Sequence, residues 1–130
     1  VATRIEIQDS AAQTASSNSA SSAINTLTMA ALNLDVTAVS GTTPVLDLFL
    51  QGSDDDTEWF DVVADSVIET ANAAAEGTVT TNARDIADGV TAVVKATAIY
   101  KHLPYRYVRI KWIISGTTPS FTFSAVLVGK

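Results

Sequence analysis

Cysteine is absent, which excludes disulfides and thiolate chemistry and leaves the redox compartment open. No apolar run reaches the ~20 residues that a membrane-spanning helix needs, so a soluble chain with no membrane partner is expected. The opening Val1–Glu6 segment lacks the apolar stretch of a signal peptide. Charge is sparse at 17%, against about 25% in typical soluble domains, which implies a surface partly neutral or apolar and suited to cover by partners. Acids are missing altogether from residues 95–130, where six bases give +6. Residues 1–94 hold all fourteen acids and only Arg4 and Arg84, a net charge of −12. Such polarity suits either pairing of the two halves within one fold or docking onto a charged surface. The overall charge of −6 disfavours nucleic acid as a partner.

Catalytic spacings are missing too. There is no G-x-S-x-G, no H-E-x-x-H and no glycine-rich phosphate loop, and His102 is the single histidine. We therefore expect no enzyme, no catalytic or cofactor-binding residue, no cofactor and no small-molecule substrate. Four carboxylates crowd Asp54-Asp55-Asp56-Thr57-Glu58, but the alternate spacing of a calcium loop is absent. A solvated turn in which Asp bonds its own backbone is the expectation there, with no metal.

What is present is alternation. Leu32, Leu34 and Val36 share one side of a strand, as do Leu46, Leu48 and Leu50. Val108, Ile110, Trp112 and Ile114 do the same, with Arg109 and Lys111 opposite, and Phe121, Phe123, Ala125 and Leu127 complete a fourth set. Each pair of runs is joined by the same pentapeptide, Ser40-Gly41-Thr42-Thr43-Pro44 and Ser115-Gly116-Thr117-Thr118-Pro119, which reads as the turn of a β-hairpin. Two hairpins covering each other predict a single all-β domain over 1–130, an antiparallel, jelly-roll-like β-sandwich. Residues 9–22 carry no large apolar side chain and read as a flexible, extended Ser/Ala-rich arm or loop. Residues 69–77 suit a short helix or a loop, and residues 90–96 a strand.

The Leu46–Val62 strand with its acidic turn and Trp59, and the closing Tyr107-Val108-Arg109-Ile110 through Ser115–Phe123, resemble tailed-phage virion proteins. More narrowly, about half the chain resembles the jelly-roll cement, or decoration, proteins of phage heads. That resemblance implies a non-enzymatic, homo-oligomeric protein on the capsid surface, assembled in the bacterial host cytoplasm and bound to the major capsid protein. The same pattern is similar to discoidin-like carbohydrate-binding sandwiches, which leaves a glycan-binding module as the alternative. For a partner interface the residues are Arg106, Arg109, Lys111, Tyr105 and Tyr107, since Tyr suits half-wet contacts, together with Ser16, Ser17 and Asn18 of the arm.

Overall fold

A computed structural model describes residues 2–24, 27–71 and 76–130. Among them there is no helix, and the strands run β1 (Thr3–Gln13), β2 (Ser17–Asn18), β3 (Ser22–Ala23), β4 (Ala30–Ser53), β5 (Phe60–Asp61), β6 (Ala64–Ala71), β7 (Thr78–Ala83), β8 (Asp85–Val90), β9 (Val94–Tyr100) and β10 (Tyr107–Gly129). All pair antiparallel in one sheet ordered β1-β10-β4-β9-β6-β7, with β2 and β3 also on β10 and β5 and β8 also on β4.

The two pentapeptides are not hairpin turns. β4 and β10 each continue through their copy and pair with each other from Tyr107↔Ser53 to Gly129↔Ala30, with register shifts at the pentapeptides. The sheet instead folds over at this crossing. The rings of Trp112 and Phe123 lie 5.2 Å apart, edge to face. Eleven residues of straight strand would separate them by about 36 Å at about 3.3 Å per residue. One leaf of the resulting sandwich holds β1, residues 120–129, residues 30–40, β9, β6 and β7. The other holds β2, β3, residues 107–115, residues 45–53, β5 and β8.

The crossing has a local two-fold character. Gly41 and Gly116 sit at φ of 110° and 120°, and Thr43 and Thr118 at 50° and 47°. A Cβ on Gly41 would lie 2.7 Å from the Thr118 carbonyl oxygen, and one on Gly116 would lie 2.7 Å from that of Thr43. Each glycine is thus required by the backbone of the opposite copy as well as by its own conformation.

Period two assigns the core as the sequence predicts. Leu32, Leu34, Val36, Leu46, Leu48, Leu50, Val108, Ile110, Trp112, Phe121, Phe123, Ala125 and Leu127 are all buried in one cluster between the leaves. Residues 64–71 form strand rather than helix, and the remainder of the expected 69–77 feature reaches residues 72–75, outside those described. Residues 90–96 are divided between the end of β8 and the start of β9.

Residues 9–22 are extended, as expected, but they lie against the body as edge strand. Residues 9–13 belong to β1, and β2 and β3 continue along the same edge of β10. Lacking apolar anchors, the segment is held by hydrogen bonds. Ser16 Oγ accepts the Ile114 N–H at 2.9 Å, and Ser19 Oγ accepts that of Ile110 at 3.0 Å. The Trp112 indole N–H donates to the Ala15 carbonyl at 3.0 Å, where the segment crosses between leaves.

Candidate functional site

The outer face of the second leaf carries the most organised polar surface. Arg109 and Gln51 are directly paired across β10 and β4, and Gln51 and Asp61 across β4 and β5, so alternation points all three outward in a row. Arg109 Nε donates to Gln51 Oε1 at 2.9 Å, and Gln51 Nε2 donates to Asp61 Oδ1 at 2.9 Å. Arg84 continues the row, 3.5 Å from Asp61 Oδ2 and 2.8 Å from Asp85 Oδ1. The bond to Asp85 holds the Arg84 guanidinium protonated even more firmly than usual. Both arginines stack on aromatic rings, Arg109 over Trp59 at 4.3 Å and Arg84 over Phe49 at 4.2 Å. Gln51 is buried with both ends of its amide bonded, so this row is fixed before any partner arrives.

The residues expected at a partner interface divide. Arg109 is not a bare base, because Gln51 and Trp59 already hold it. Lys111 and Tyr107 lie half-buried on the same outer face, and Arg106 is exposed beside Tyr107, its guanidinium 5.9 Å from that ring. Tyr105 turns away from this group, its ring packed against Gly52 and the core. Ser16, Ser17 and Asn18 flank Lys111 and Trp112 at the edge, and the Ser16 hydroxyl is committed to Ile114. Among the described residues the ion pairs within 4 Å are those of Arg84, and of the bases of 95–130 Lys95 stands directly opposite Asp35 across β9 and β4.

The acidic turn behaves as the sequence predicts. Asp55 Oδ1 accepts the Thr57 and Glu58 N–H groups at 2.9 Å each, and these bonds lower its carboxyl below the usual range. A separate group was not visible in the sequence: Asp47, Asp85 and Asp88 bring carboxylate oxygens within 4.8 Å of one another. They come from two strands of the second leaf, so no linear spacing marks them. Part of the group is already engaged, since Asp47 accepts the Gly89 N–H at 2.7 Å and Asp85 accepts from Arg84. Nearby, a cleft of about 390 Å³ opens between β6, β7 and β8, lined by Glu69, Asp85, Asp88 and Arg84. Burial, and then the charge of Asp88, push the Glu69 carboxyl upward. No aromatic side chain lines this cleft.

No family description and no curated protein sequence matches the chain. Among solved structures, the SPBc2 prophage-derived protein YomS aligns over 99% of this chain and 94% of its own, at 11% identity and a TM-score of 0.55. A chain from the structure of infectious bursal disease virus, Gx strain, aligns over 98% of this chain but only 31% of its own, at 14% identity and a TM-score of 0.51. At such identities the correspondence lies in the fold: this chain shares its architecture with a prophage-derived protein and with part of a virus particle.

Proposed function

We propose that the chain is a structural virion protein, a cement or decoration protein that binds a phage head and stabilises its shell. The observation that carries this reading is the fold shared with a prophage-derived protein across 99% of the chain. The surface supports it. A pre-arranged row of arginine, aromatic and amide groups on a rigid leaf has the composition of an adhesive patch, where Arg, Tyr and Trp dominate binding energy. The role is non-enzymatic and uses no cofactor. Its partners are the major capsid protein and further copies of the chain, on the outer surface of a capsid assembled in the bacterial cytoplasm. The glycan-binding alternative has less support, because one face of Trp59 is covered by Arg109 and the polar cleft lacks an aromatic platform.

The test is co-sedimentation of purified protein with expanded heads of the phage or prophage that encodes it. Saturable occupancy and a raised temperature of head disruption are expected. Reversal of two exposed or half-exposed bases, Arg106→Glu with Lys111→Glu, should cut occupancy at least tenfold and flatten its salt dependence. No head binding, together with clear hits on a glycan array, would overturn the reading in favour of the alternative.

A further inference from the structure

The open end of the sandwich, opposite the pentapeptide crossing, carries a groove of about 460 Å³ on its first leaf. Met29, Ala31, Ile99 and Val128 line it together with the exposed Lys101 and Lys130; no acid is in the lining, and the Asp65 carboxylate beside it accepts the Lys101 backbone N–H at 2.7 Å. The same end carries the acidic turn. Backbone bonds trace the connection: Thr28 and Met29 donate to the Lys130 carbonyl, Leu103 donates to that of Thr28, and the Tyr105 ring lies on Gly52, two residues before Asp54. Asp54, Asp55, Asp56 and Glu58 are all exposed. Phe60, paired with Gly52 beside the turn, is 56% exposed, and Met29 at the groove is 42% exposed. One end therefore displays an acidic loop with a projecting aromatic ring and, separately, an apolar groove with a basic rim. Neither set of charges is paired with the other inside the described chain.

The geometry points to a second copy of this chain as the occupant of the groove, in a two-fold, end-to-end dimer. Each acidic turn meets the Lys101 and Lys130 rim of the other copy, and each Phe60 enters the other groove. Two complementary patches on one surface are what an isologous contact requires, since a single rotation satisfies both at once. The charges set the register and the apolar contact supplies the attraction that survives salt. This inference concerns the isolated protein and is independent of capsid binding, so either can fail without the other.

Sedimentation velocity on the full chain tests it, at about 20 mM and about 500 mM salt, conditions that span weak to strong screening. The parent is expected to dimerise, more weakly at high salt. Two charge-reversed chains are made, Asp54→Lys with Glu58→Lys, and Lys101→Glu with Lys130→Glu. Asp55 is left alone because it organises the turn. Each alone should raise the dissociation constant at least tenfold, and an equimolar mixture should recover dimer, because every lysine turn then faces a glutamate rim. Phe60→Ser should weaken the dimer at both salt concentrations, with unchanged far-UV circular dichroism. A parent that stays monomeric up to about 0.5 mM, reversals that leave association unaltered, or a mixture that fails to recover it, would each overturn the proposal.

Discussion

Tyr100 shows how one side chain departs from the rule that buried polar groups are bonded. It is 1% exposed and its hydroxyl has no hydrogen-bond partner among the described residues. An unsatisfied buried group of this kind costs on the order of 1–3 kcal/mol, so Tyr100→Phe should stabilise the fold by about 1 kcal/mol in denaturant titration. Burial also raises the phenol well above its ordinary value of 10.0. The fold tolerates only the neutral phenol, so the benefit of burying the ring is complete below the unfolded value and is lost as pH rises beyond it. Alkaline unfolding above about pH 10 should therefore be less steep in Tyr100→Phe than in the parent. Equal slopes would place the alkaline transition elsewhere. Arg109 makes the converse point: its charge is visible in the sequence, but its engagement with Gln51 and Trp59 joins segments 50 and more residues apart.

At the level of elements, the two pentapeptides do the work of a corner. Gly41→Ala or Gly116→Ala would force a Cβ against the carbonyl of the opposite copy at a φ that L-residues avoid. Either change should destabilise the protein by about 2–3 kcal/mol and lower its melting temperature by on the order of 10 °C. Because the two sites are related by the local two-fold, the losses should be similar; a loss at one site only would show the corner to be asymmetric in energy. β1, β2 and β3 illustrate a different economy. Their residues bring little apolar surface to the core, yet they cover the outer edge of β10, and Ser16 and Ser19 in the connections between them accept its N–H groups. Ser19 is 3% exposed, so its hydroxyl is a structural bond rather than a contact held ready for a partner.

For the whole molecule, that edge is where a further chain would pair if it were uncovered. Deleting residues 10–22 would expose the long edge of β10 in the second leaf and strip partners from the Trp112, Ile110 and Ile114 N–H groups. An uncovered edge strand invites pairing with other chains. The deletion should lower the midpoint of denaturation and produce concentration-dependent aggregates in light scattering. A monodisperse, equally stable deletion variant would show the segment to be dispensable. The parent should show a far-UV circular dichroism spectrum dominated by strand.

Strand identity and the inward faces follow from the sequence by itself, because apolar residues at every second position can be buried together only on one side of a strand. The expected core residues of β4 and β10, including Trp112, are buried where that pattern places them, apart from Ile114, which is half-buried against the cluster. The Asp55 turn is equally legible, since its bonds reach only to residues two and three positions ahead. The path through the pentapeptides is a different matter. Glycine and proline mark a change of direction, but the same local backbone serves a reversal or a bend. Only the meeting of the two copies, 75 positions apart, makes each one a bend, since each supplies the carbonyl surface against which the other's glycine packs. The Arg109–Gln51–Asp61–Arg84 row and the juxtaposition of acidic turn and basic groove have the same origin. They depend on which strands become neighbours, and tertiary packing settles that by bringing distant apolar faces together.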